Sequence, residues 1–192
     1  MSAARRLLLP ALLLAVSGAQ AAATGPAPPL PAQWRSYDIL LELQSLPRTY
    51  SCDELWYRVR DVLLALGARA YMTITPYDCG TPHGGEARSP RVQVRFQLPY
   101  VLKGADVRYA ELGVHEQAVR LTPGTPHSLQ PEDCELVRQL QGTLLAGLPL
   151  HVGSAEFHCS GTHESWSLTV EAPLAATAPA GRAAANGAAP RS

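Results

Sequence analysis

The chain reads SCDELWYRVRDVLLALG at positions 51–67 and DCELVRQLQGTLLAGLP at positions 133–149. The two stretches align at an offset of 81 residues. Glu54 falls on Glu135, Leu55 on Leu136, Val59 on Leu140, and Leu63, Leu64 and Ala65 on Leu144, Leu145 and Ala146. Each carries a cysteine near its start, Cys52 or Cys134, and an extended-looking run after it ends at a second cysteine, Cys79 or Cys159. Apolar residues recur every three or four positions in both, the period of a helix with one buried stripe. Leu55, Val59, Val62, Leu63 and Leu66 make the first stripe. Leu136, Leu140 and Leu144 make the second, with Val137 and Leu148 alongside.

The helix boundaries are written in residue type. Ser51 and Glu54 form a capping box, in which hydroxyl and carboxylate satisfy free backbone donors at a helix start. Gly67 suits a stop. Pro131 suits a first turn, and Glu132 and Asp133 read as acidic decoration of the helix dipole.

Strand signals surround both helices. At 91–98, Val92, Val94, Phe96 and Leu98 alternate with Arg91, Gln93, Arg95 and Gln97, as expected of a strand with one buried and one wet face. At 37–44, Tyr37, Ile39, Leu41 and Leu43 alternate with Asp38, Glu42 and Gln44, and Leu40 interrupts the polar side. Residues 70–77, 118–122, 151–158 and 165–171 supply the other strands, while 99–117 carries no clear signal. The expectation is an α+β fold built from a duplicated β-α-β-β unit, at 34–99 and 117–172. It forms a two-layer sandwich: a mostly antiparallel sheet of about six strands with two helices on one face. In general plan this resembles ferredoxin-like sandwiches, a likeness that carries no activity.

The ends differ in composition. Arg5 and Arg6, an apolar run at 7–16 and Ala19-Gln20-Ala21 read as a signal peptide over 1–21. The apolar run is too short to span a bilayer, so no transmembrane segment is expected in the mature chain. Residues 22–33 read as a flexible Ala/Pro lead-in and 173–192 as a disordered Ala/Pro/Gly tail. Between them, 34–172 suffices for a single disulfide-stapled domain. The expected location is the periplasm or the extracellular space. The excess of Arg over the single Lys103, with the Ala and Pro content, points to a bacterial source. Basic and acidic residues number 16 each and are interspersed, so nucleic acid is not an expected partner.

Four cysteines allow three pairings. A helix over 54–66 rises about 20 Å, and a strand over 71–77 returns about 23 Å. That brings Cys79 back beside Cys52, and the same count applies to Cys134 and Cys159. The other symmetric pairing, Cys52 with Cys134 and Cys79 with Cys159, needs the two helix starts adjacent and stays open. No C-x-x-C redox motif occurs.

No nucleophile elbow, zincin motif, P-loop or dinucleotide fingerprint occurs. No catalytic residue and no cofactor is therefore assigned. The chain reads as an exported binding protein without catalysis, with a protein partner in the cell envelope or itself as the occupant. Trp56 and Tyr57 on the flank of the first helix are one candidate surface. The second is the polar strand face of Gln93, Arg95 and Gln97, with Glu42, Gln44, Ser167 and Thr169 on flanking strands. The alternative is a periplasmic metal-binding protein using His158 and His163, which a disulfide at Cys159 would weaken. An enzyme of unrecognised class ranks third.

Each half offers one amphipathic helix and three short strands, little core for a chain of that size. Residues 33–99 expressed alone should give a broad, non-cooperative thermal transition by circular dichroism. A sharp transition in a soluble monomer would mean that the halves are separate domains.

Overall fold

The computed structural model describes residues 27–79, 89–160 and 164–176. The signal-peptide reading over 1–21, most of the 78–90 loop, His163 and the tail beyond residue 176 lie outside the described residues. The elements run β1 (Leu30–Glu42), α1 (Cys52–Ala65), β2 (Thr73–Tyr77), β3 (Arg91–Val101), β4 (Leu112–Leu121), α2 (Cys134–Thr143), β5 (His151–His158) and β6 (Ser165–Ala175). Short 3-10 turns occupy Gly104–Tyr109, Pro131–Asp133 and Leu145–Gly147. The chain is a mixed α+β fold with one six-stranded antiparallel sheet, ordered β2-β3-β1-β4-β6-β5.

Alternation decides which side of each strand is buried. Val92, Val94, Phe96 and Leu98 of β3 join Leu41 of β1 and Trp166, Leu168, Val170 and Ala172 of β6 in one apolar cluster. Both helix stripes enter the same cluster: Leu55, Val59, Val62, Leu63 and Leu66 near α1, Leu136, Val137, Leu140 and Leu144 near α2. The capping box forms, with Ser51 Oγ accepting from the Glu54 N–H and Glu54 Oε2 accepting from the Ser51 N–H. At the other end the Gly67 N–H reaches Leu64 O and the Ala68 N–H reaches Leu63 O, a Schellman closure. It sets Gly67 at φ +88°, where a Cβ would stand 2.9 Å from Leu174 Cδ2. The backbone sign requires the glycine, and the close approach of β6, with Pro173 O 3.3 Å from that Cβ position, leaves little room for a side chain.

Cys52 is bridged to Cys79 and Cys134 to Cys159, each with Cα atoms 5.3 Å apart. Each bridge ties the start of a helix to the end of the strand after it. In the chain-entropy picture, loops of 27 and 25 residues contribute about 3.5 kcal/mol apiece.

Several sequence expectations are corrected at the element boundaries. β1 starts at Leu30, inside the stretch read as a flexible lead-in, because Leu30, Pro31 and Ala32 pair with Val114, Gly113 and Leu112. β6 runs to Ala175, past the start assigned to the tail, because Glu116 and Val114 pair with Pro173 and Ala175. Backbone pairing satisfies these residues whatever their side chains, so an Ala/Pro composition misleads there. Gln44 leaves the strand; its N–H donates to Gln139 Oε1 and its C=O accepts from Gln139 Nε2. The unassigned stretch after Pro99 resolves into the end of β3, a 3-10 turn and the start of β4. Val101 and Leu112 flank Ala32 on opposite sides, so residues 102–111 carry the chain across β1.

Asp133 is no surface decoration. It is fully buried, and Arg58 is 8% exposed. Arg58 Nε donates to both Asp133 carboxylate oxygens at 2.8 Å, the Tyr50 hydroxyl donates to Oδ1 at 2.9 Å and the Gln130 N–H to Oδ2 at 2.8 Å. Burial, then the adjacent Asp133 carboxylate, drives the Tyr50 phenol far above its ordinary value, so it stays a donor. The cluster ties α1 to the start of α2.

Removing one partner of such a pair leaves an uncompensated buried charge. Asp133→Ala should therefore lose about 3–5 kcal/mol in urea unfolding. Arg58→Met with Asp133→Leu should lose far less than the single changes combined. A double variant that loses the full sum of its two single losses would show that the pair is uncoupled and place the stabilisation elsewhere.

Acid should weaken the fold through Glu54. Burial raises its pKa, but the Ser51 N–H and hydroxyl and the Arg48 and Arg58 guanidiniums outweigh this and hold it below the ordinary value. A depressed carboxylate stabilises fully above the unfolded value of about 4.3. That contribution disappears as pH falls through the lower folded value. Glu54→Gln should flatten the acid limb of a stability–pH profile and leave the neutral plateau sloping no more than wild type.

Candidate binding surfaces

The face of β2, β3 and β1 turned away from the apolar cluster gathers Gln93, Arg95 and Gln97, as their alternation predicts. Register sets Asp38 opposite Arg95 and Ser36 opposite Gln97. Arg95 Nε donates to Asp38 Oδ2 at 2.9 Å, and Gln93 Nε2 donates to Asp38 Oδ1. Gln97 Nε2 donates to Ser36 Oγ at 3.1 Å, and Arg69 Nη1 donates to Gln97 Oε1 at 3.1 Å. The Arg69 guanidinium also lies over the Trp34 ring, 4.4 Å from its centre. At the far end Arg91 pairs with Asp78 at 2.7 Å. The result is an aligned ladder of mutually satisfied polar groups.

Apolar side chains interrupt and fringe that ladder. Leu40 is 47% exposed and stands opposite Gln93. Tyr77 is 46% exposed opposite Arg91, and Tyr71 just before β2 is 93% exposed. Tyr71, Thr73, Asp38, Arg95 and Gln97 line one shallow groove. The sequence signal for Tyr77 was available in the alternation of Thr73, Thr75 and Tyr77 with Ile74 and Pro76. Nothing local marked Trp34 and Arg69, because their encounter depends on strand register and on the turn after α1.

The other end of this face is partly covered, with Leu30 still exposed at its limit. Ala32 lies on the same side of β1 as Leu40, yet it is fully buried, as is Val114, which pairs with Leu30 across the junction. The crossing at 102–111 is tied to this end of β1: the Leu102 N–H donates to Pro31 O and the Glu111 N–H to Ala32 O. Leu40 lies beyond its reach. Gln44 and the β6 residues Ser167 and Thr169 do not join the platform. Gln44 is held by α2, and β1 and β4 separate β6 from β3.

The α1 flank divides. Trp56 packs partly buried against the apolar cluster, with the Arg60 guanidinium 5.4 Å from its ring centre. Tyr57 meets the Trp56 ring edge-on at 4.9 Å and is exposed. Trp56 thus closes the edge of the core, and only Tyr57 is displayed.

For chemistry, the buried Asp133 cluster is closed. Each carboxylate oxygen already accepts two hydrogen bonds and the side chain is fully buried, so no oxygen faces solvent. His158 is exposed at the end of β5, and the Cys159 sulfur is committed to its bridge. Among the described residues no three His, Cys, Asp or Glu side chains converge as a metal site. A small cleft lined by Tyr100, Lys103, Glu116, His151 and Glu171 collects titratable groups near the junction of the halves. No helix among the described residues is long and apolar enough to cross a membrane.

No protein-family model, curated protein or solved structure matches this chain.

Proposed function

We propose that the chain is an exported, non-catalytic binding protein whose docking surface is the outward face of β2, β3 and β1. The observation that carries the reading is the exposure of Leu40, Tyr71 and Tyr77 around an ordered polar ladder. Rigid aromatic and aliphatic side chains over a pre-aligned polar face suit a protein partner, because little conformational entropy remains to be lost on docking. Mixed, mutually paired charges on this face favour a protein surface of mixed charge over a polyanion.

Export rests on the leader-like segment read at 1–21 and on the two bridges, which persist in oxidising compartments. The proposed home is the periplasm or the extracellular space, with 34–172 acting as one domain. We also read the fold as a two-layer sandwich made by duplicating a β-α-β-β unit. The strand order maps onto itself when β1 exchanges with β4, β2 with β5 and β3 with β6, and the two bridges exchange as well. Both helix stripes meeting one apolar cluster supports the sandwich.

Cross-linking in the native cell envelope tests the docking face. Wild type should give a discrete adduct that Leu40→Glu and Tyr77→Ala each reduce several-fold. Both positions are exposed, so both variants should retain the wild-type circular dichroism spectrum. Adducts unchanged in both variants but lost in Tyr57→Ala would move the site to the α1 flank.

A further inference from the structure

The two edges of the sheet are unequal. β2 spans only Thr73–Tyr77 and contains Pro76, which has no N–H to donate, so that edge resists extension. β5 spans His151–His158 without proline or lysine and has a single charged carboxylate, Glu156. Among the described residues nothing pairs with its outer side. An exposed strand of this length presents a row of N–H and C=O groups free to pair with another extended backbone.

The side chains of β5 narrow the occupant. The register slips at Gly153, between Val152 opposite Val170 and Ser154 opposite Thr169. One residue is therefore extra, and the alternation resets across it. Val152, Ala155 and Phe157 consequently share the side of Val170, Leu168 and Trp166, while His151, Ser154, Glu156 and His158 share the other. With Gly153 set aside, the seven remaining residues read as a pattern centred on Ala155. Laid antiparallel against itself, Val152 meets Phe157 twice, the Ser154 hydroxyl meets the Glu156 carboxylate twice, and Ala155 meets Ala155 on the axis. His151 then faces His158 at each end. Apolar opposes apolar, a donor opposes an acceptor, no two carboxylates are opposed, and the smallest of the seven side chains is the one that meets its own copy on the axis.

We propose that β5 is a self-association edge: two copies of this chain pair β5 to β5 antiparallel about a twofold axis through Ala155, joining their sheets into one of twelve strands. The contact is isologous and closes on itself, so it yields a dimer and no fibre. It uses the opposite edge of the sheet from the proposed docking face and stands or falls independently of that proposal.

Sedimentation equilibrium on the full, oxidised chain reads the association. Wild type should be a dimer at micromolar concentration. Ala155→Arg opposes two guanidiniums on the axis and should weaken association at least tenfold. Ala155 is exposed, so the variant should keep the wild-type circular dichroism spectrum and both native bridges. Ala155→Cys should form an intermolecular disulfide under mild oxidation, while Glu156→Cys, off the axis, should cross-link much more slowly. A wild-type monomer up to 100-fold higher concentration overturns the proposal. So does a dimer indifferent to Ala155→Arg, or faster cross-linking at position 156 than at 155.

Discussion

The buried contact of Arg58 with Asp133 is the constraint on which the arrangement of this molecule turns. The two residues are 75 positions apart and belong to different halves of the chain. Asp133 alone would be prohibitively costly to bury as a charge, and α2 could not begin where it does. Arg58 is positioned by the stripe of α1, since it neighbours the buried Val59. Tyr50 is positioned by the approach to the same helix. Each donor to Asp133 therefore reports that a different piece is in place. The cluster is less a source of net stability than a condition on which packings are acceptable: a shifted α1 would strand a carboxylate without water or partner.

The sheet by itself leaves that relation underdetermined. Between the halves, β1 and β4 are joined only through Leu30, Pro31 and Ala32. So short a ladder sets direction but leaves twist and tilt loosely defined. The helices supply what is missing, and they do so reciprocally. Arg58 of α1 reaches the start of α2, and Gln139 of α2 holds both backbone groups of Gln44 on the way into α1. Gly67 adds a third contact across the halves, where the end of α1 meets Leu174 of β6. Together these cross-links explain why one apolar cluster, not two, fills the interior.

What could be read from the sequence was what is local. The stripes of α1 and α2, the Ser51–Glu54 box, Gly67 and the alternation of β3 all depend on neighbours within a turn or a strand. The cysteine pairs were favoured because their partners lie one helix and one strand apart. Pairing between distant segments left no comparable mark. Pro31 and Pro173 look like linker residues, yet they lie in paired strands, because the partner strand settles the matter. Asp133 looks like ordinary helix decoration until Arg58 arrives from far along the chain. The candidate surface followed the same division. Gln93, Arg95 and Gln97 were legible as a polar face, whereas the Trp34–Arg69 stack needed register, and the limit of the platform at Gln44 needed α2.

The order of the cysteines along the chain bears on how this protein is made. Cys52 joins Cys79 before Cys134 is reached, and Cys134 joins the next thiol to follow it. The native set is thus the one obtained by linking thiols in their order along the chain. No bridge spans another, so neither must wait for the other, and neither has to be broken to admit its successor. Each bridge lies wholly within one half, so each half can be stapled before Arg58 and Asp133 meet.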